Sequence, residues 1–591
     1  VCGFAGERAL RRPADVEAVA RMTATMSRRG PDGIGVWAHD GVAMGHRRLK
    51  IIDLSSAGDQ PMTDPELGLT VAFNGCIYNH RELRAELEAS GYRFFSTSDT
   101  EVILKAYANW GRDCVRHFKG MFAFALADRR REMLLLARDR LGVKPLYLAE
   151  RDDALRFAST LPALLAGGGC DTSIDAVALN HYLSWHSVVP APRTILNGVR
   201  KLAPATTLLI DANGHRDEQV YWRADFTRQD EYRGWSEEDW TDAVLEATRI
   251  AVTRRMVSDV PVGVLLSGGL DSSLIVALLA DSGQSGLSTF SIGFDDVGDR
   301  EGNEFRYSDV IAREFATDHH RIQIETSRML PALGAAVDAM SEPMVSHDAV
   351  AFYLLSQEVS HSLKVVQSGQ GADEVFAGYS WYPPLRDASG TGADTYQAAF
   401  FDRTLQEMPT ILEAPYLTDS DPSRTFLDAH FGREGAQTPL DRGLRLDTEI
   451  MLVDDPVKRV DNMTMAWGLE ARTPFLDHEL VELAAACPPE LKLAQGGKGV
   501  LKEAGRRVLP DAVIDRPKGY FPVPALSILE GETLELIGDL MASEAARARG
   551  LYRPDHVQML LAAPTDHVTT IGASKLWQLA LLELWLQRHG L

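Results

Sequence analysis

Val262-Gly263-Val264-Leu265-Leu266-Ser267-Gly268-Gly269-Leu270-Asp271-Ser272-Ser273 is an apolar run that passes directly into a loop of small residues. The run has the length and composition of a buried strand, and an apolar helix is expected at 273–281. The order then repeats: a strand at Thr289–Phe294, a helix from Phe305 to Ala316, a strand at Arg321–Glu325. Leu363-Lys364-Val365-Val366-Gln367 enters a second small-residue loop, Ser368-Gly369-Gln370-Gly371-Ala372-Asp373-Glu374. Strands alternating with helices predict a parallel α/β sheet with ligands at the carboxyl ends of its strands.

In the first loop, successive small residues expose backbone N–H groups, and the following helix terminus favours an anion. Without the Gly-Lys-Ser/Thr ending it is not a Walker A loop, and alone it reads equally as a plain strand–helix turn. Asp271 shifts the balance. A carboxylate among phosphate oxygens is repulsive unless it holds a cation, which suggests Mg²⁺. Asp373, at the end of another strand, is the natural second carboxylate, with helix capping as its alternative reading.

Cys2 lies one residue from the start of the chain, with Gly3 behind it and no leader expected before it. A cysteine there can act as a nucleophile with its own α-amine as base, which requires removal of Val1. One site thus suggests acyl transfer and the other phosphate handling. A chain carrying both suggests an amidotransferase.

The 591 residues exceed one core and predict two to four domains. A net charge of −22 argues against a nucleic-acid grip based on phosphate neutralisation. Five cysteines without metal-ligand spacing suggest neither a zinc site nor a disulfide scaffold. No apolar stretch reaches membrane-spanning length, so a cytoplasmic protein acting on small molecules is expected. Residues 1–210 read as strands (41–49, 69–73, 122–126 and 133–137) with helices at 80–90 and 99–110, a two-layer sheet core covered by helices. Asn74-Gly75 reads as a turn pair. Residues 211–235 are the expected linker, and Ser236-Glu237-Glu238-Asp239 has capping-box spacing ahead of the second domain, 236–591. Its last two hundred residues are largely helical, ending in a Ser574-capped pattern, and 384–395 reads as a polar loop.

Four further segments complete the pattern: Cys2-Gly3-Phe4-Ala5-Gly6, Arg29-Gly30-Pro31-Asp32, Arg138-Asp139-Arg140-Leu141-Gly142 and Glu470-Ala471-Arg472-Thr473-Pro474-Phe475-Leu476-Asp477. With Asn74-Gly75, the two loops and Arg516-Pro517-Lys518-Gly519, the chain resembles the asparagine synthetase type of glutamine-dependent amidotransferase over nearly its whole length. The resemblance implies an amino-terminal Ntn-hydrolase αββα sandwich, then an adenine-nucleotide α-hydrolase-like parallel-sheet domain with a largely helical carboxy-terminal part. It implies Cys2 as nucleophile, Asn74 and Gly75 as the oxyanion pair, and Arg48 and Asp99 as holders of glutamine's carboxylate and α-amine. It implies ATP and Mg²⁺, with pyrophosphate and nucleotide contacts from Leu266, Ser267, Gly268, Gly269, Leu270, Asp271, Ser272, Ser273, Ile292, Ser368 and Gly369. Asp271 and Asp373 match the metal carboxylates, and Lys518 matches a lysine that stabilises the charged transition state. The family forms an acyl-adenylate that channelled ammonia then attacks, and its members are often homodimers. A catalytically silent nucleotide-binding regulator is the reading from another class.

Three departures bear on the acceptor. Gln370 stands where asparagine synthetases usually carry a glutamate, Cys76 replaces a usual glutamate beside the glutamine pocket, and Ser341–Asp348 adds polar groups that aspartate does not obviously need. With residues 453–468 and 186–192 they resemble the N-acetylglutaminylglutamine amidotransferase branch, which amidates the carboxy-terminal carboxylate of an acetylated dipeptide to make an osmoprotectant. Gln370 is then expected in the catalytic site. Asparagine synthesis is the alternative, followed by amidation or cyclisation of another carboxylate in specialised metabolism.

Overall fold

The computed structural model describes residues 2–151, 153–295, 302–346, 348–516 and 529–591. The amino-terminal half holds two six-stranded antiparallel sheets. The first runs, edge to edge, Val199–Lys201, Tyr147–Arg151, Ala154–Ala158, Gly3–Ala9, Val42–Arg48 and Gly33–His39. The second runs Arg216–Val220, Thr206–Ile210, Met133–Arg138, Gly120–Asp128, Leu69–Ile77 and Met62–Asp64. Strand alternation sorts the side chains. Ala123, Ala125 and Ala127 face the other sheet beside Phe4, Met44 and Phe157, while Phe122, Phe124 and Leu126 face outward onto helices. Helices His80–Ala89 and Asp99–Trp110 cover that outer face through Leu83, Leu87, Val102 and Ile103. Val16–Thr25 and Leu161–Gly167 cover the other through Val19, Met22, Leu161 and Leu164. This is the αββα sandwich.

The second half is built on a five-stranded parallel sheet in the order Asp318–Ile324, Ser288–Phe294, Val262–Leu265, Val365–Gln367, Glu470–Arg472. Chain order runs outward on both sides of Val262–Leu265, so strand order reverses between that strand and Val365–Gln367. Such a reversal opens a crevice at the strands' carboxyl ends, and both small-residue loops leave the sheet there. Helix Glu237–Arg254 leads into it, opened by a reciprocal Ser236–Asp239 capping box. Helices dominate beyond residue 372, closing with Lys575–Arg588, whose cap Ser574 accepts from the Trp577 N–H.

Three local expectations are corrected. Asn74 and Gly75 are not a turn but sit within strand Leu69–Ile77, paired with Ala123 and Phe122. Glycine is needed at 75 for close approach rather than for turning: a Cβ there would lie 2.2 Å from the Met121 carbonyl oxygen. Within the expected linker, Arg216–Val220 forms an edge strand on Thr206–Ile210; its polar residues carry no apolar alternation because an edge strand here faces solvent. The stretch 384–395 contains the end of a helical turn, Pro383–Arg386, and the start of helix Ala393–Phe400.

Candidate active sites

The first site lies where the Gly3–Ala9 strand begins. Cys2 is buried; its backbone N–H donates to Asn74 Oδ1 (3.0 Å) and its Sγ accepts from the Leu49 N–H (3.4 Å). Burial pushes the thiol up from its ordinary range, while the Leu49 N–H and the Arg48 charge oppose that rise. Asn74 is fully buried and its Nδ2 has no hydrogen-bond partner among the described residues. An orphaned donor beside a buried thiol is the arrangement an oxyanion requires. The narrow cavity in front of Cys2 is lined by Arg48, Gly75, Cys76 and Asp99, among others.

Two of the expected glutamine contacts are partly engaged by the protein itself. Arg48 donates to Ser55 O (2.7 Å), Asp59 Oδ1 (2.6 Å) and the carbonyls of Ile52 and Asp53, pinning the 52–59 loop over the cavity. Asp99 accepts from the Ile77 N–H (3.0 Å), and burial raises its carboxyl.

One wall of this cavity comes from the other half of the chain. Glu470 and Arg472, on the edge strand of the parallel sheet, line it together with Cys2. Arg472 donates to Glu470 Oε1 (2.5 Å) and to the carbonyls of Arg255 (2.7 Å) and Val257 (2.8 Å). Its Nη2 approaches Cys76 Sγ at 3.8 Å, and its guanidinium lies over the Tyr78 ring. Burial alone would raise the Glu470 carboxyl, yet neighbouring positive charges, Arg472 and Lys144 among them, hold it at about 2. The sequence motif containing these residues was visible; their place beside Cys2 was not, because it depends on the packing of two domains. Further buried ion pairs span the halves: Asp461 takes Arg29 (2.9 Å) and Lys144 (3.0 Å), and Lys201 takes Asp454 (2.6 Å) and Glu342 (3.2 Å).

The second site is a cavity of about 380 Å³ at the strand-order reversal. Leu266, Ser267, Gly269, Leu270, Asp271, Ser272, Ile292, Ser368, Gly369, Gln370 and Asp373 all line it, so the structure brings most of the expected residues together. Gly268 and Ser273 do not line it. Gly268 turns the loop at φ +71°, with Ser308 N 2.5 Å from where a Cβ would stand, and Ser273 is buried in the following helix. Ser267 and Ser272 hydroxyls lie 3.1 Å apart, and Ser267 Oγ accepts from the Gly269 N–H, which keeps the loop in shape.

Sequence reasoning missed Lys498. Its ammonium bridges Asp271 (2.7 Å) and Asp373 (3.0 Å), and those two carboxylates raise its pKa against the effect of burial. A cation therefore already stands between the two expected metal carboxylates. Their all-oxygen donor set suits a hard ion, and with only two carboxylates Mg²⁺ would draw its other ligands from phosphate and water. Among the described residues no cluster of three or more metal-ligating side chains exists. Lys518 lies outside the described residues. Of the stretch 341–348, Glu342 belongs to the contact between the halves, where it also accepts from the Tyr147 hydroxyl, whereas Asp348 lines the cavity.

Comparison with known proteins finds two family matches. Residues 1–222 match the glutamine amidotransferase domain and residues 243–587 match asparagine synthase. The chain is 32% identical over 527 residues to asparagine synthetase (glutamine-hydrolyzing) 3 of Bacillus subtilis, covering 85% of this chain and 83% of that protein. It is 30% identical over 633 residues to asparagine synthetase (glutamine-hydrolyzing) 1 of the same organism, covering 99% and 96%. It is 27% identical over 592 residues to amidase chyE of Penicillium rubens, covering 88% and 87%.

Proposed function

The chain belongs to the asparagine synthase family, and from that premise we propose that Cys2 releases ammonia from glutamine while the second cavity activates the carboxylate that receives it. Glutamine-dependent, ATP-driven amidation is the chemistry of that family, and membership implies ATP and Mg²⁺. No helix among the described residues is long and apolar enough to cross a membrane.

In this reading the Cys2 thiolate attacks the side-chain amide carbon of glutamine. Asn74 Nδ2 and the Gly75 N–H take the developing oxyanion, ammonia leaves, and water hydrolyses the thioester to glutamate. Arg48 and Asp99 orient the amino-acid end. In the second cavity the acceptor's carboxylate oxygen attacks the α-phosphorus of ATP and displaces pyrophosphate. Ammonia then attacks the acyl carbon and AMP departs. Asp271 and Asp373 would hold Mg²⁺, which supplies charge neutralisation at the phosphates. Lys518 is assigned the transition-state charge, and Gln370 stands beside the acceptor.

The observation that carries the reading is the strand Glu470–Arg472. It walls the Cys2 cavity and pairs with Val365–Gln367, whose loop lines the second cavity. A nitrogen donor site and a phosphate site at two hydrogen-bonded neighbouring strands of one sheet support coupled chemistry.

Similarity to asparagine synthetases favours aspartate as acceptor, and this has the wider support. Amidation of N-acetylglutaminylglutamine is the second reading, favoured by Gln370: a neutral amide cannot serve as the proton acceptor that a glutamate would be. Glutamine-dependent formation of AMP and pyrophosphate, measured with each acceptor in parallel and with the product identified by mass, tests both. Turnover with aspartate alone establishes the first; turnover with the dipeptide alone establishes the second. Inactivity with both rejects both acceptors.

A further inference from the structure

Asp348 opens helix Asp348–Ser360, and Asp348, Phe352 and Leu355 all line the second cavity at i, i+4 and i+7, one face of the helix. The residue is half-buried there. Burial raises its carboxyl, Arg459 lowers it and Asp455 raises it, and no hydrogen bond contributes among the described residues. Arg459 lines the same cavity; its Nη1 lies 3.4 Å from Asp455 Oδ1 and its buried Nε has no partner. Asp348 and Arg459 thus face one cavity, and the buried Arg459 Nε–H is a donor that a ligand there can complete.

Of the molecules the reaction brings together, the phosphates of ATP carry only acceptors and negative charge, so Asp348 repels them. The base is served by the apolar strand-side lining of Leu265, Phe290 and Ile292. Ammonia passes through as a reactant. The ribose hydroxyls and adenine amino group of ATP are donors too, and an effect on them would appear in the KM for ATP; the acceptor is the partner that can meet both Asp348 and Arg459. Resting on the amidation proposed above, we infer that Asp348 is a specificity-determining residue: it accepts a hydrogen bond from an N–H of the acceptor, while Arg459 donates to an acceptor oxygen. The substrate class is a carboxylic acid bearing an N–H donor and a second oxygen, with its aliphatic part against Phe352 and Leu355. An α-amino acid provides this as ammonium and carboxylate, an acylated peptide as amide N–H and carbonyl.

The rival role for Asp348 is a negative charge at a helix amino terminus, which would affect stability and not substrate choice. The test compares wild type, Asp348→Asn and Asp348→Glu by AMP formation with saturating ATP and ammonia over a range of aspartate, and separately of N-acetylglutaminylglutamine. Glutaminase activity and melting temperature are measured alongside. Loss of one charge-assisted hydrogen bond predicts an acceptor KM raised about 10- to 100-fold in Asp348→Asn. The KM for ATP, glutaminase activity and melting temperature should hold. The greater rise falls on aspartate if an ammonium is bound, whereas comparable or greater loss on the dipeptide identifies an amide. An unchanged acceptor KM, or an equal fall in kcat with every acceptor, overturns the assignment to Asp348 and leaves the amidation standing. Failure of wild type with both acceptors overturns the acceptor reading and this inference with it.

Discussion

Replacing Arg472 by Met removes one of the positive charges that keep Glu470 ionised at the wall between the two halves. Both side chains are buried, and their contact is 2.5 Å. The Glu470 carboxyl lies at about 2 where an ordinary glutamate has 4.5, a difference worth about 3 kcal/mol at 1.36 kcal/mol per unit. Lys144 and other positive charge share that effect, but Arg472→Met also leaves the carbonyls of Arg255 and Val257 without their donor. Breaking a buried pair from one side costs about 3–5 kcal/mol, so the expected loss is about 3 kcal/mol. It should appear in urea as a lower midpoint of the transition that includes the interface. Replacing both partners, Glu470→Leu with Arg472→Met, should recover most of it, because no isolated charge remains. The sign with pH is fixed: a depressed carboxyl contributes stability above about 4.5 and loses it as pH falls toward about 2. The gap between wild type and the double variant should therefore narrow in acid. A single variant within about 1 kcal/mol of wild type, or a double variant no better than the single, would refute the account of this wall.

Cys2→Ala should abolish glutamine-dependent amidation while ammonia-dependent amidation persists, read as product formed from each nitrogen source. Asn74→Ala removes the orphaned Nδ2 and should lower glutaminase kcat by about 10²- to 10³-fold, the usual scale for one oxyanion donor, with ammonia-dependent turnover as the control. Asp271→Asn leaves Lys498 with one of its two carboxylates, so ATP–pyrophosphate exchange should fall and its magnesium requirement should rise. His46 is buried with Nε2 3.0 Å from the Phe73 carbonyl, and burial depresses it to about 3 from 6.5. The unfolded state then binds the extra proton, and wild-type stability falls with pH between about 6.5 and 3 at up to 1.36 kcal/mol per unit. His46→Gln should flatten that slope by one proton in urea unfolding at pH 6 and pH 4.

The parallel sheet was legible because its local signals agree. An apolar run into Ser267-Gly268-Gly269 and a second into Ser368-Gly369-Gln370 each announce a strand end with a loop built for close approach. Asn74-Gly75 misled for the same reason: a pair that favours a turn sits mid-strand, where ladder pairing and the approach of Met121 outweigh local preference. Lys498 escaped because nothing in Gly496-Gly497-Lys498-Gly499 signals its partners, which lie 227 positions away at Asp271. Arg472 escaped likewise, since a motif assigned to one half turns out to wall the cavity of the other. Local chemistry is written in short segments; charge pairing across a fold depends on contacts that only the assembled chain supplies.

The shared wall has a consequence for timing. Chains fold amino-terminal domain first as they are synthesised, so the sandwich carrying Cys2 can assemble while Arg472, 396 positions beyond Cys76, has yet to emerge. Until the edge strand docks, Cys2 faces a cavity open on one side. Severing the two halves into separate polypeptides would expose the same gap, because Glu470 and Arg472 line that cavity from the second half.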